Sequence, residues 1–131
     1  MKLSGRTKRY IDLAKKAAVN SPFPEHKHGA ILVKGGSVLN VAFNANKFVP
    51  WGNRFRSKSC GHATHHAELG CVLGIAREKT QGAVVYVVRI GRLGDMKNSK
   101  PCPMCEQILR HVGIKKVIYS INDGHVECYK L

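Results

Sequence analysis

Four residues in two short segments have the types and spacing of a catalytic metal site. His66 is followed two positions later by Glu68, and Cys102 is followed three positions later by Cys105. Imidazole nitrogen and thiolate sulfur are ligands that a borderline-soft cation such as zinc prefers. Three protein ligands leave one tetrahedral position open for water, which distinguishes a catalytic zinc site from a structural one. His66, Cys102 and Cys105 are therefore the predicted Zn²⁺ ligands.

Glu68 is the predicted catalytic residue of this site. Zinc lowers the pKa of a bound water until hydroxide is available near neutral pH. A carboxylate two residues after the first ligand is placed beside that water, where it can accept a proton and pass it on. The residue types therefore predict a metal-assisted hydrolysis in which Glu68 moves the protons.

Other uses of the neighbouring histidines and cysteines remain open. His62 and His66 with the Cys-x-x-Cys pair would form a closed Cys2His2 structural site, which excludes catalysis. A structural site, however, does not require a glutamate two residues after a ligand. Cys60, His62 and His65 form either a second metal site or none, because such residues are also common in packed or solvent-facing positions.

The length and composition of the chain indicate one soluble domain. A chain of 131 residues suffices for a single core, and 44% hydrophobic with 23% charged residues is an ordinary globular composition. No apolar run is long enough to cross a bilayer and the first residues lack an apolar signal segment, so we expect a cytoplasmic protein without a membrane partner. A Cys-x-x-Cys pair in that compartment favours metal binding over disulfides.

A large positive charge indicates a partner that carries phosphate groups. The sequence has 22 lysines and arginines against 8 aspartates and glutamates, a net charge of +14. Such an excess attracts polyanions, although it also serves solubility and determines no reaction. Phe48, Trp51 and Arg54 lie in a long polar segment, 44–64, and are candidate substrate-binding residues because rings stack on bases and cations hold phosphates. Alternatively, the rings cover the edge of the core and the charges face water.

Hydrophobic periodicity predicts the element order α-β-β-α-β-α-β-β, which is typical of a mixed sheet between helices. The predicted helices are 3–19, 66–78 and 102–111, and the predicted strands are 29–33, 38–43, 83–88, 116–121 and 125–129. The second and third helices carry the metal motifs in their first turns, where the positive helix end favours a carboxylate and lowers the pKa of a thiol. We therefore predict an α/β fold, a three-layer α-β-α sandwich with a mixed five-stranded sheet.

The last two predicted strands are joined by the short turn 122–124, which has no room for a helix. A parallel pair needs a crossover of about a dozen residues or more. We therefore predict that these two strands form an antiparallel hairpin.

The segments 66–68 (His-Ala-Glu) and 101–105 (Pro-Cys-Pro-Met-Cys) resemble the cytidine deaminase-like superfamily, especially its CMP/dCMP-type zinc-dependent deaminase domain. The resemblance covers nearly the whole chain as a single domain, 1–131. It implies a hydrolase that releases ammonia from cytidine or deoxycytidine nucleotides or nucleosides, or from cytosine in single-stranded DNA or RNA. It also implies that Asn44 contacts the substrate and that Ala67 supplies a backbone amide near the bound water.

Two features bear on the substrate within this superfamily. A histidine before Ala-Glu resembles deoxycytidylate, tRNA adenosine and polynucleotide cytosine deaminases, whereas free-cytidine deaminases typically have cysteine there. An antiparallel ending resembles the cytosine-acting branches, whereas tRNA adenosine deaminases place a helix between the last two strands. We therefore expect cytosine as the base. The alternatives are an adenosine-to-inosine deaminase and a non-catalytic, zinc-stabilised nucleic-acid-binding module. A homo-oligomer is compatible with the sequence.

Overall fold

The structure is a computed structural model that describes residues 5–23, 26–48 and 64–131. The helices in these ranges are α1 (Gly5–Val19), α2 (Ala67–Val72), α3 (Arg77–Thr80) and α4 (Pro103–His111). The strands are β1 (Lys27–Lys34), β2 (Ser37–Phe43), β3 (Ala45–Phe48), β4 (Thr64–His65), β5 (Val84–Ile90), β6 (Met96–Lys97), β7 (Lys116–Asn122) and β8 (His125–Lys130). None of the described helices has the length and apolar character needed to span a membrane.

A mixed sheet forms the middle layer of the fold. Its strand order is β2-β1-β5-β7-β8, and β6 pairs with β5 at one end. β1 lies antiparallel to β2 and β5, whereas β5 and β7 are parallel. β7 and β8 are antiparallel, which confirms the predicted hairpin at the end of the chain. The five longer strands are the five predicted ones, and β6 is a sixth, two-residue strand in a segment where we predicted none.

The segment that we predicted as a loop over 44–64 begins and ends in short strands. β3 and β4 pair with each other as an antiparallel two-stranded sheet, separate from the main one. Strands this short carry too few residues to show an alternating pattern, so the polar composition concealed them.

Side chains of the sheet alternate between two cores on its opposite faces. On one face, α1 packs against β1, β5 and β7 through Tyr10, Ile11, Ala14, Ala18, Ile31, Val33, Tyr86, Val88, Ile90, Ile118 and Val126. On the other face, α2 and α4 pack through residues that include Leu32, Leu69, Val85, Val87, Met104, Cys105, Ile108, Leu109 and Val117. The helices therefore flank the sheet on both sides, as the predicted α-β-α sandwich requires.

The helix α1 approaches strand β1 most closely at Gly29. A Cβ atom at this position would overlap the carbonyl oxygen of Ala14 and would lie 2.6 Å from the amide nitrogen of Ala18. Ala14 and Ala18 are fully buried. Small residues on both elements thus allow the helix to lie against the sheet.

The helix that we predicted over 66–78 is wrong in its extent. α2 ends at Val72, and α3 begins only at Arg77. Between them Gly74 has a φ of 79°, a left-handed conformation that ends a helix and that glycine adopts without strain. The apolar residues of this segment continue through the break, so periodicity alone did not reveal it.

Candidate metal centre and substrate cavity

Two helix starts bring the three predicted metal ligands together. His66 is the N-cap of α2, Cys102 is the N-cap of α4, and Cys105 lies in the first turn of α4. His66 and Cys102 thus precede the first turns in which we predicted them. The side-chain ligand atoms of the three residues all lie within 4.8 Å of one another.

The distances between these ligand atoms fit a tetrahedral zinc ion. Nδ1 of His66 lies 3.2 Å from Sγ of Cys105 and 3.8 Å from Sγ of Cys102. With zinc–ligand bonds of about 2.0–2.3 Å, tetrahedral ligands lie roughly 3.5–3.8 Å apart. The three side chains therefore need only small adjustments to hold Zn²⁺, and they provide three of its four ligands.

The predicted lowering of the thiol pKa by the helix end is wrong for Cys105. The neighbouring Cys102 thiol and burial hold the pKa of Cys105 well above its usual value. The Cys102 thiol also raises the pKa of His66, against the opposing effect of burial. Without a metal, the surroundings of Cys105 therefore favour the thiol, and a bound cation would stabilise the thiolate.

A cavity of about 370 Å³ opens beside the ligand group. Its wall is formed by Phe23, His26, His28, Asn44, His66, Ala67, Glu68, Lys100 and Cys102. This volume is in the range of small-molecule sites. Glu68, in the first turn of α2, is only 5% exposed although it lines the cavity. A carboxylate and the ligand group thus share one small, shielded space.

Asn44 lies on the cavity wall, but most of its hydrogen-bonding groups are engaged by the protein. Its Oδ1 accepts a hydrogen bond from the backbone N–H of His28 at 2.8 Å. Its Nδ2 donates to the carbonyl oxygen of His26 at 2.7 Å. One N–H of the side-chain amide and one lone pair remain for a substrate. Asn44 therefore fixes the segment before β1 as well as facing the cavity.

The sequence analysis did not identify four residues of the cavity wall: Phe23, His26, His28 and Lys100. Two histidines spaced by two residues at the start of a strand are only a weak signal of a binding site. They indicate one only if the strand is known to begin beside the metal site. The sheet register shows that it does, since His28 pairs with Arg89 at the end of β5. Burial lowers the pKa of His28, and Glu68 opposes that effect.

The structure does not test the remaining predicted residues. Phe48 lies in β3 and His65 in β4. Trp51 and Arg54, with Cys60 and His62, lie outside the described residues. Their predicted contacts with substrate or with a second metal therefore stay predictions.

A buried pair of serines anchors the segment that precedes Cys102. Ser99 and Ser120 are 1% and 0% exposed. Ser99 Oγ donates to the carbonyl oxygen of Val87 at 2.9 Å and accepts from the N–H of Ser120 at 2.8 Å. Ser120 Oγ donates to the carbonyl oxygen of Lys97 at 2.7 Å. These bonds fix the 97–99 segment to the sheet and thereby position the ligand that follows.

The fold and the ligand set define a zinc-binding α/β domain with a cavity for a small polar molecule. The sequence of residues 4–121 matches the family described as the cytidine and deoxycytidylate deaminase zinc-binding region. Because this match spans most of the chain, the protein belongs to that deaminase family. A comparison with curated protein sequences finds no significant match.

Three solved structures have a similar fold. The dCMP deaminase from the cyanophage S-TIM5 in apo form shares 24% identity over 92% of this chain and 86% of that chain, with a TM-score of 0.61. The same enzyme in complex with dCMP and dUMP shares 23% identity over 89% and 82%, with a TM-score of 0.55. The cytidine deaminase from Burkholderia pseudomallei shares 20% identity over 98% and 93%, with a TM-score of 0.62. At these identities the likeness establishes the fold.

Proposed function

We propose that the protein is a zinc-dependent hydrolytic deaminase that converts the cytosine of a cytidine or deoxycytidine nucleotide to uracil. One observation carries this proposal: Glu68 lines one cavity of about 370 Å³ together with His66 and Cys102, which form a ligand group with the buried Cys105. Membership of the deaminase family supports the reaction class. The excess of basic residues and the dCMP-bound neighbour support a nucleotide as the substrate.

In this proposal His66, Cys102 and Cys105 hold the metal. Zinc, when bound, supplies a Lewis acid that lowers the pKa of a coordinated water. The three side chains also hold the starts of α2 and α4 against each other, and these helix starts form part of the cavity wall. Cys105 is fully buried, which keeps solvent from the inner side of the ligand group.

Glu68 moves the protons of the reaction. Its carboxylate accepts one proton from the attacking water and delivers it to N3 of the cytosine, while the water oxygen bonds to C4. The carboxylate then transfers the second proton of that water to the 4-amino group. The C4–N bond breaks, and uracil and ammonia leave. Proton transfer of this kind contributes about 10²–10⁴-fold to the rate.

Ala67 and Asn44 orient the reacting groups. Ala67 is the first residue of α2, and the backbone N–H groups in the first turn of a helix have no acceptor within that helix. It therefore can donate to an oxygen in the cavity. The uncommitted N–H of the Asn44 side chain can donate to the sugar or to the base.

The end of the sheet supports cytosine as the base. β7 and β8 are antiparallel, the ending that resembles the cytosine-acting branches of the superfamily. Two enzymes among the fold neighbours are named for cytosine substrates, one for dCMP and one for cytidine. The two alternative functions are an adenosine deaminase and a non-catalytic nucleic-acid-binding module.

A substrate panel with a matched pair of variants tests the proposal. Zinc-loaded protein is incubated with CMP, dCMP, cytidine, deoxycytidine, adenosine, and single-stranded DNA and RNA. Ammonia is measured, and bases are identified by mass spectrometry. We expect uracil products from the nucleotides, and their loss in Glu68→Gln with zinc content unchanged by elemental analysis. Glu78→Gln, an exposed glutamate on α3, is the control and should retain turnover.

Each other outcome of the panel identifies a different function. If adenosine were converted to inosine and no uracil product formed, the target base would be adenine and not cytosine. No product from any substrate, together with salt-sensitive binding of single-stranded nucleic acid, would establish the non-catalytic module. Loss of zinc in Glu68→Gln would make Glu68 a ligand instead of the proton carrier.

A further inference from the structure

Arg89 and His26 form a hydrogen-bonded pair beside the cavity that the reaction above does not use. Nη2 of Arg89 lies 2.9 Å from Nδ1 of His26. A guanidinium group can only donate hydrogen bonds, so Nδ1 of His26 must accept. The proton of the neutral imidazole is therefore on Nε2. His26 lines the cavity, and Nε2–H is the donor that its ring has free for a ligand there.

The sheet determines where Arg89 points. Along β5 it lies on the same face as Val85 and Val87, which belong to the core on the α2 and α4 side. Its backbone N–H donates to Ser120 Oγ at 3.3 Å, and its cross-strand partner is His28. Arg89 is therefore on the face and at the end of β5 where the cavity opens.

The charge of Arg89 is not balanced by a nearby carboxylate within residues 5–23, 26–48 and 64–131. None of the ion pairs in these ranges includes Arg89, and its buried Nε has no hydrogen-bond partner there. A partly buried cation without a counterion is costly for the folded protein. It also creates a positive potential that favours an anionic ligand close by.

Lys100 contributes a cation to the cavity wall, which Arg89 itself does not line. Its Nζ lies 5.6 Å from the ring centroid of Tyr129, which orients the lysine side chain by a cation–π interaction. It directly follows Ser99, which the buried serine pair fixes to the sheet. Tyr129 therefore restrains the ammonium group of Lys100, and Ser99 fixes the backbone that precedes it.

We propose that His26 and Lys100 bind the 5′-phosphate of a free nucleoside monophosphate, and that Arg89 is the positioning residue that holds His26 as an Nε2–H donor. Phosphate oxygens accept such charge-assisted hydrogen bonds strongly. A cavity of about 370 Å³ has the size of a site for one nucleotide. This assignment rests on the proposed function, because it concerns the phosphate of the same substrate.

The test is substrate selectivity, expressed as the ratio of kcat/KM for dCMP to kcat/KM for deoxycytidine. We expect Arg89→Gln and His26→Ala each to lower this ratio about 10- to 100-fold, mainly through KM for dCMP. Lys100→Gln should lower it as well. Arg77→Gln removes the same charge from the exposed surface of α3, at the opposite end of β5, and should leave the ratio unchanged.

Combined variants separate positioning from direct contact. If Arg89 acts through His26, the double variant Arg89→Gln/His26→Ala loses no more selectivity than His26→Ala alone. His26→Gln places an amide N–H near the position of Nε2 and should restore part of the selectivity, with little further loss on adding Arg89→Gln. A further loss of selectivity in Arg89→Gln/His26→Ala, relative to His26→Ala alone, would overturn the positioning role.

Binding measurements keep this inference separate from the proposed reaction. Calorimetry of dUMP and deoxyuridine with zinc-loaded Glu68→Gln protein needs no turnover, and we expect dUMP to bind at least about 10-fold more tightly. Absence of any cytosine deamination would overturn the proposed function. Deamination with an unchanged selectivity ratio in the Arg89 and His26 variants would overturn only the phosphate site. A single-stranded DNA substrate preferred over dCMP, with Arg89→Gln weakening its use, would assign the phosphate to a polymer and overturn the free-nucleotide proposal.

Discussion

Ser120 Oγ lies 2.9 Å from Ser99 Oγ, and this contact joins the middle of β7 to the segment that leads into the metal ligand Cys102. The two hydroxyls occupy the gap where β5 and β7 diverge, and both are buried. Ser120 Oγ also accepts a hydrogen bond from the backbone N–H of Arg89 and lies within donating distance of the carbonyl oxygen of Lys97. One small side chain thus connects the sheet, the ligand segment and the residue proposed to position His26.

Replacing Ser120 by alanine should destabilise the protein by about 1–3 kcal/mol. The substitution leaves the N–H of Arg89 and the carbonyl oxygen of Lys97 without their buried partner, and unsatisfied buried groups carry a cost of this size. Urea unfolding of the zinc-loaded protein measures the change. Ser37→Ala, at an exposed position of β2, is the matched control and should be nearly neutral. Equal effects of the two variants would contradict the anchoring role of Ser120.

Replacing Gly29 by alanine should destabilise the protein by about 3 kcal/mol or more, or prevent folding. The added methyl group would overlap the carbonyl oxygen of Ala14, so α1 would have to move away from the sheet. Gly5→Ala is the control, because a Cβ atom there has no neighbour within 4 Å. Thermal unfolding compares the two variants. A Gly29→Ala protein within about 0.5 kcal/mol of wild type would show that the helix does not need this close approach.

Replacing Asn44 by aspartate should lower both stability and activity. The carboxylate can no longer donate to the carbonyl oxygen of His26 and is repelled by it, so the segment before β1 loses its anchor. We expect a loss of about 1–3 kcal/mol on unfolding and at least a 10-fold lower kcat/KM for dCMP, with zinc retained. Asn122→Asp adds the same charge at an exposed position on β7 and serves as the control. Retained activity in Asn44→Asp would mean that this anchor is dispensable.

Protonation of His28 should reduce stability in mild acid. Burial lowers the pKa of His28 below its usual value near 6.5, with Arg89 and His66 acting in the same direction and Glu68 opposing them. Between the folded pKa and about 6.5 the unfolded chain binds more protons, so stability falls as pH drops through this window and is unaffected above it. A bound zinc cation would push the pKa in the same direction.

Two measurements check the behaviour of His28. NMR titration of the ring resonances of zinc-loaded protein should place its midpoint below 6.5. Urea unfolding between about pH 5 and pH 8 should show that wild type loses more stability in acid than His28→Gln, since glutamine does not titrate. Parallel stability profiles for the two proteins would show that His28 does not contribute to the acid sensitivity.

The residues that chemistry requires were the most predictable part of the molecule. The His-x-Glu and Cys-x-x-Cys spacings are local, and the helix starts that follow them depend on short-range signals such as Pro103 at the first position of α4. The five long strands were predictable for the same reason, because runs of β-branched residues such as those of β5 are local patterns. The ligand group of His66, Cys102 and Cys105 then follows from how these elements pack.

The features that the sequence did not reveal depend on pairing between distant segments. His26 and Arg89 meet only because β1 and β5 are antiparallel in a particular register, which no local pattern specifies. The break at Gly74 was hidden by apolar residues that continue on both sides of it. The high pKa of Cys105 arises from packing against Cys102 and from burial, and these outweigh the helix end that local reasoning considered.

The position of the predicted ligands on either side of β5 couples metal binding to the assembly of the sheet. His66 precedes β5 and Cys105 follows it, 39 residues away. Bringing such distant segments together costs chain entropy and requires contacts of high sequence separation, which form slowly. We therefore predict that zinc binds tightly only after β5 has been inserted between β1 and β7, and that the rate of metal loading during refolding follows the assembly of the central sheet.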